Sequence, residues 1–440
     1  MIDELKARAV IRLNAWKHNV LYLFLSAFLL FMSGCESRPS LSDAALPDEI
    51  FTVGKGQTAP PLDTAEASEP PLGGGTIIYA KGAAPLEKEQ EQLLLDYMNL
   101  YYTSLARLDP CDPTPLFARD ASEQADRNRL IWDVIIGIRS MQKADLSLCA
   151  YNFTLTVQSV AEREDGNIVV RAAEDFTQNF TAYPDIDSKG FNIRHTFTLT
   201  QTVSGRRIAQ HRQSDSLNNS LMGNRQTVDN GEEETNLFER RDRLLEQAAA
   251  SAAGRALQGT VPEKTTADNP YDRAAAVEYA RKWVGRRNPA WNSYDGLGGN
   301  CQNFTSQAIF AGGIPMDYKA PAQWKWYGDT PNEKYQPTGR APAWTTVQPF
   351  LTYVKSNFGY GMAAVADAPY YTGEPGDVIH LGADGSFRHT VIITQVMRGE
   401  DGSVTDYLIA SNTSDLLDFP VSAFYYQEQM LIKIFGWNNG

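Results

Sequence analysis

Apolar residues recur at three-to-four spacing between residues 85 and 145, where Leu93, Leu94, Tyr97, Met98, Tyr101, Tyr102 and Leu105 form one stripe and Leu130 to Met141 forms another. That spacing predicts two amphipathic helices, parted where Pro110, Pro113 and Pro115 remove N–H donors that a helix needs. The period then changes to two. Tyr151, Phe153, Leu155 and Val157 alternate with polar neighbours, and an Asp165–Gly166 turn leads into Ile168, Val170 and Ala172, which predicts a hairpin. A second alternating run, Phe191, Ile193, His195, Phe197 and Leu199, turns at Ser204–Gly205 into a strand ending near His211. Helices followed by antiparallel strands make an α+β unit. His195 shares the apolar parity of its strand, which reads as a satisfied core histidine. A charged helix from Glu232 to Leu257 closes this part, and Gly259 to Ala267 reads as a linker.

Beyond the linker, Asn269–Pro270 predicts a helix start, with Asn269 as cap, and Ala274, Val277, Ala280, Arg281 and Val284 follow at helical spacing up to Gly285. A loop through Tyr294 and Gly298–Gly299 reaches Asn300–Cys301, after which Phe304, Ala308 and Ala311 supply one face of a further helix closed by Gly312–Gly313. Cys301 is thereby placed at a helix N-terminus. Gly376–Asp377–Val378–Ile379 enters a strand at His380, with Asp377 as a turn residue; His389 opens a second strand after the Asp384–Gly385 turn, and a strand from Tyr407 to Ser411 delivers Asn412. Between these lies an irregular Pro-rich stretch with Trp324, Trp326, Trp344, Tyr318, Tyr327 and Tyr335, which suits either core packing or an aromatic groove wall.

The amino terminus has a different pattern. A basic stretch (Lys6, Arg8, Arg12, Lys17) precedes an apolar run from Val20 to Met32, too short to span a membrane comfortably. Met32-Ser33-Gly34-Cys35 resembles a bacterial lipobox, which implies cleavage before Cys35 and lipid on its thiol. From Glu36 to Gly75 the chain is rich in Pro, Gly, Ala, Ser and acidic residues, a tether composition. The expected organisation is a signal peptide (1–34), a tether (35–75), an N-terminal α+β domain (76–258) and a C-terminal domain (268–440), anchored to the extracytoplasmic face of a bacterial cell membrane. A length of 440 residues accommodates two folded units and an export segment. A formal net charge of -13 and a pI near 5.0 disfavour nucleic acid as a partner.

Four cysteines divide the remaining chemistry. With Cys35 carrying lipid and Cys301 free, Cys111 and Cys149 fall in one domain outside the reducing cytosol, so the expectation is a disulfide between them, against two unpaired buried thiols. Helix-start N–H groups favour a thiolate at Cys301 and face the oxyanion that forms on an attacked carbonyl, worth about 3 to 4 kcal/mol per donor in studied enzymes. Gly298 and Gly299 leave room for a substrate backbone. His380 or His389 must supply the base, and Asn412, or Asp415 in its place, the group that orients the imidazole. No metal-ligand cluster is visible, and this chemistry needs no cofactor.

The segment from Tyr271–Asp272 to Gly313, with its core Asn300-Cys301-Gln302-Asn303-Phe304-Thr305-Ser306-Gln307, resembles the bacterial putative amidase domain family. The resemblance extends through Gly376-Asp377-Val378-Ile379, His389-Thr390-Val391-Ile392 and Ser411-Asn412-Thr413. It implies a papain-like fold, with the cysteine helix packed on an antiparallel sheet, and a catalytic set of Cys301, His389 and Asn412. His380 is left a structural or supporting role. Asn300 and Asn412 stand where the family often has Asp and His. Tyr294 corresponds to a tyrosine that assists the oxyanion hole in related cell-wall hydrolases, and Gly299, Trp324 and Trp326 are the accompanying substrate-side candidates. The implied activity is a thiol amidohydrolase acting on peptide or peptidoglycan-like amide bonds; the alternative is a non-catalytic envelope-binding lipoprotein. The N-terminal unit is similar to small cone-shaped α+β domains whose curved sheet encloses a pocket.

Overall fold

A computed structural model describes residues 72–214, 237–256 and 266–440, except residues 331, 384, 425 and 427. The expected signal peptide, Cys35 and the tether up to residue 71 lie outside the described residues, as do residues 232–236 and 257 of the expected charged helix and 259–265 of the expected linker.

The first half comprises β1 (Gly73–Tyr79), α1 (Lys88–Arg107), α2 (Ser122–Ser140), β2 (Leu148–Glu162), β3 (Ile168–Phe180), β4 (Tyr183–Thr202), β5 (Gly205–Gln213) and α3 (Leu237–Ala256). The second half begins with β6 (Asn269–Pro270), α4 (Arg273–Trp283), α5 (Cys301–Ala311), β7 (Trp326–Tyr327), β8 (Gly339–Arg340), α6 (Pro342–Thr345) and α7 (Val347–Ser356). It ends with β9 (Gly361–Ala368), β10 (Val378–Ala383), β11 (Ser386–Arg398), β12 (Val404–Ser411), β13 (Asp415–Pro420) and β14 (Glu428–Asn438). The mixture is α+β.

Local sequence explains most of these elements. The apolar stripe of α1 is buried along Leu93, Leu94, Tyr97, Met98, Tyr102 and Leu105, and a Glu87–Gln90 capping box starts the helix. Strands β3 and β4 extend well beyond the sequence expectation and meet at Thr181–Ala182. Alternation fails there because Glu174 and Gln178 are polar yet face inward, where Tyr102 and Arg139 bond to them. The glycines at the end of the expected tether form β1 instead. It runs parallel to β2, and a Cβ on Gly73 would lie 1.8 Å from the Tyr151 carbonyl oxygen. The expected cap at Asn269 is also corrected: Asn269–Pro270 pairs with β14, and α4 starts at Asp272, whose Oδ1 accepts from the Ala275 N–H at 3.0 Å.

Twelve strands form one sheet, ordered β1-β2-β3-β4-β13-β12-β11-β10-β14-β6, with β5 beside β4 and β9 beside β14. The halves join where β13 pairs antiparallel with β4: Asp415 opposite Phe191, Leu416 opposite Gly190 and Leu417 opposite Lys189. Ser188 Oγ donates to the Asp418 carbonyl at 2.6 Å, while the Asp418 carboxylate takes Thr394 Oγ1 at 2.7 Å and pairs with Arg281. One apolar core runs from α1, α2 and β2–β5 onto Ile379, Leu381, Val391 and Ile393. A second gathers α4, α5 and α7 against Val378, Ile392, Ile432 and Ile434. Strands β10 and β11 thus carry a core on each face.

The expected disulfide is not formed. Cys111 and Cys149 are free thiols, and Cys149 is exposed. The Cys111 N–H is held by Ser104 Oγ at 3.0 Å just past α1, whereas the Cys149 thiol turns to the Asn179 carbonyl on β3 at 3.3 Å.

The β3–β4 register beside the joint is open to a direct test. A Cβ on Gly190 would lie 2.2 Å from Phe176 Cε1, so Gly190→Val is expected to destabilise the protein by about 1–3 kcal/mol. The urea midpoint measures this, and an unchanged midpoint would contradict the register.

Candidate active site

The loop before α5 turns on Gly298 (φ 104°) and Gly299 (φ 118°), conformations that side chains other than glycine rarely adopt. A Cβ on Gly299 would meet only Thr413 Cγ2, at 4.0 Å, so its backbone conformation rather than crowding calls for glycine. Asn300 does not cap α5 with its side chain. Its Oδ1 accepts instead from the Tyr294 N–H at 3.2 Å and from Asn303 Nδ2 at 2.8 Å, and its Nδ2 donates to Asn412 Oδ1 at 3.1 Å. This hub ties the cysteine loop to the end of β12, and Thr413 Oγ1 adds a bond to the Asn300 N–H at 3.2 Å.

Cys301 heads α5 with 8% of its surface exposed. Burial pushes its thiol above the ordinary range, against the backbone N–H groups of Thr390, Gln302 and Cys301 itself, which favour the thiolate. Several buried polar atoms on the residues around it have no hydrogen-bond partner: Thr390 Oγ1, Gln302 Oε1 and Asn412 Nδ2.

Pairing of β10 with β11 decides where the imidazoles point. Ile379 is opposite Val391, His380 opposite Thr390 and Leu381 opposite His389, with a bulge before Gly382 pairs Phe387. His380 and Thr390 therefore share a face with Ile392, the side on which α5 packs, and the His380 ring lies near Phe350 and Phe387. His389 shares the opposite face with Val391, and its ring stacks beside Tyr426 at 6.1 Å and near Phe424 at 6.2 Å. The Thr390 backbone N–H is among the groups that favour the Cys301 thiolate, while the His389 side chain lies on the other face of the sheet. Burial lowers the His389 pKa to about 4; burial, and then the nearby His389, lowers that of His380 to about 3. Both His380 nitrogens lack partners.

The other candidates are occupied. Asn412 bonds to Asn300 rather than to a histidine, and Asp415 is paired with Arg287 at 3.0 Å. The Tyr294 hydroxyl donates to Asp329 at 2.8 Å and accepts from Trp326 Nε1 at 2.9 Å. Trp326 is half-buried, as a groove residue would be, whereas Trp324 is fully buried and donates to Ser306 Oγ at 3.0 Å. Trp324 is therefore a core residue, not a groove wall; its indole supports α5 from behind, as Trp344 does through Asn303 Oδ1 at 3.0 Å. The Asn300 hub escaped the sequence reading because nothing in the run of Asn300, Cys301 and Gln302 reveals a contact with residue 412. Among the described residues no group of three or more His, Cys, Asp or Glu side chains is placed to hold a metal ion.

In the first half, His195 is a satisfied core residue, as its parity predicts: Nε2 meets Glu174 at 3.1 Å and Nδ1 meets His211 at 3.0 Å. His211 continues to the Tyr97 hydroxyl at 2.8 Å and Asn128 at 2.9 Å.

Residues 270–435, which include Cys301, both strand histidines and Asn412, match the family model described as "Putative amidase domain". Two proteins of Bacillus subtilis (strain 168) are similar in part. "Uncharacterized protein YhbB" is 34% identical over 131 residues, 29% of this chain and 39% of its own length. "Uncharacterized protein YjcM" is 32% identical over 133 residues, 28% of this chain and 28% of its own. The chain therefore spans less than half of either relative. Among solved structures, a putative aromatic ring hydroxylase from Novosphingobium aromaticivorans covers 29% of this chain and 90% of its own at 15% identity and a TM-score of 0.21. The intermembrane space region of chloroplast protein ARC6 covers 30% of this chain and 98% of its own at 13% identity and a TM-score of 0.20. Scores this low carry no argument about fold.

Two outcomes follow from the buried rings. Unfolded histidines take up protons below about pH 6.5, whereas folded His389 and His380 resist down to about 4 and 3. Their contribution to stability is complete above pH 6.5 and is lost as pH falls toward these values, so urea midpoints are expected to drop between pH 7 and pH 4 and to drop less in His380→Phe. Trp324→Ala is expected to cost about 3–5 kcal/mol; a raised KM at unchanged thermal stability would restore the groove assignment.

Proposed function

We propose that this protein is an amide-cleaving thiol hydrolase, lipid-anchored through Cys35 to the outer face of a bacterial cell membrane, with peptidoglycan-like peptide amides as substrates. One observation carries the reading: Cys301 heads α5, where backbone N–H groups favour its thiolate against burial, inside the stretch that matches the amidase family model. Papain-like chemistry then assigns Cys301 as nucleophile. Its sulfur bonds to the amide carbonyl carbon, its proton passes to the His389 imidazole, and that proton goes to the leaving amine as the C–N bond breaks. Water cleaves the resulting thioester, releasing the acid and restoring the thiol. Helix-start N–H groups stabilise the oxyanion, and Gly299 leaves space for the substrate chain. Asn412 braces the cysteine loop through Asn300.

This route requires β11 to rearrange so that the His389 ring, which lies beside Tyr426, comes to the face of the sheet that carries the sulfur.

The second reading is a binding lipoprotein that keeps the fold without the chemistry. The observation in its favour is the sulfur itself, 8% exposed, held toward the neutral thiol by burial and unbonded to an imidazole.

Labelling of the purified, reduced ectodomain with a thiol-reactive, amide-like probe distinguishes the two. A hydrolase labels at Cys301, with labelling absent in Cys301→Ala and slowed by about 10²-fold or more in His389→Ala. A binding module gives no Cys301-dependent labelling, or the same slow rate with and without His389.

A further inference from the structure

A cavity of about 160 Å³ lies where the first half meets the second. Its apolar wall includes Ile135, Ile138, Phe176, Ile193, Leu416 and Phe419, contributed by α2, β3, β4 and β13. His389 of β11 and Ser414, just before β13, close it on the other side, and Arg139 and Glu174 are its charged members. The size suits a benzene-sized body, since an apolar cavity of about 150 Å³ holds benzene in a well-studied case.

The two charged residues differ in how they are satisfied. Both Glu174 oxygens are engaged, by the Tyr102 hydroxyl at 2.6 Å and by His195 Nε2 at 3.1 Å. Arg139 is 3% exposed and makes one side-chain bond, from Nη2 to Gln178 Oε1 at 3.0 Å. Its Nε and Nη1 have no partner, and no carboxylate of the described residues pairs with it. Two rings flank the guanidinium, Phe180 at 5.0 Å and Phe419 at 6.0 Å. Burial lowers its pKa to about 10, which still leaves it charged at neutral pH. A buried guanidinium without an anion is costly, and a chain that retains one has a use for a negative partner. Phe419 belongs both to the guanidinium's flank and to the cavity wall, so a ligand seated on that ring reaches the charge.

We propose that this cavity binds a small organic acid, with an aromatic or branched aliphatic body against Phe176, Leu416 and Phe419 and its carboxylate paired with Arg139. The nucleophile Cys301 does not line the site, and binding needs no turnover. Its occupant would nevertheless lie against the ring of His389.

The experiment is calorimetric titration of the full chain carrying Cys301→Ala, which removes any turnover, with benzoate, phenylacetate, 3-phenylpropionate and isovalerate, and with 3-phenylpropionamide as the uncharged control. At least one acid is expected to bind more tightly than about 1 mM, and the amide about tenfold or more weaker than its acid. Arg139→Lys, which retains the charge, and Arg139→Gln, which removes it, are expected to weaken acid binding in that order. Ala423→Leu, which fills the cavity from its wall, is expected to abolish binding. The proposal is overturned if none of the acids binds, if acid and amide bind equally, or if Ala423→Leu binds as the parent does. Because the nucleophile is absent throughout, these outcomes stand apart from success or failure of the hydrolase reading.

Discussion

The three-residue pairing of β13 with β4 is the constraint on which the rest of the structure depends. It joins strands from the two halves in one ladder, and Asp418 fastens the joint through Ser188, Thr394 and Arg281. Because β12 turns into β13 through residues 412–414, the same pairing fixes the loop that holds Asn412 and Thr413 against Asn300. The cysteine loop is thus positioned by a strand joint distant from it in sequence. That joint also forms the cavity, since Leu416 and Phe419 come from β13 while Phe176 and Ile193 come from its neighbours across the seam.

Around Cys301, two physical effects oppose each other. Removal from water disfavours the thiolate, and the N–H groups of the helix start and of Thr390 favour it. Burial prevails in this conformation. On the residues around Cys301, Thr390 Oγ1, Gln302 Oε1 and Asn412 Nδ2 are buried without a hydrogen-bond partner. The turned ring of His389 belongs to the same description: the sheet holds its backbone at the sulfur and its side chain on the other face.

Several features were legible in the sequence because one local rule governed them. The α1 stripe buries the residues its spacing marks, and Cys301 heads a helix because two left-handed glycines precede it and Phe304 and Ala308 give it an apolar face. Other features were hidden because a distant partner reversed the local signal. Glu174 and Gln178 interrupt the alternation of β3 since their partners, Tyr102 and Arg139, lie on the helices. The glycines of β1 look like tether until Tyr151 is seen packed against Gly73. The direction of His389 follows from the pairing of β10 with β11, which sets it opposite Leu381 on the face of Val391, whereas the family resemblance marks it only by its place after the turn. Trp324 sits in a Pro-rich stretch that suits core packing or a groove wall equally, and its burial with a bond to Ser306 decides for the core.

The central claim is that this chain hydrolyses amide bonds with the Cys301 sulfur. Its most direct test is the release of new primary amines from purified peptidoglycan by the reduced protein, compared with Cys301→Ala at equal folded concentration. Time-dependent release by the parent, lost in the variant, is the predicted result. No release from the parent, or equal release from both proteins, would contradict it.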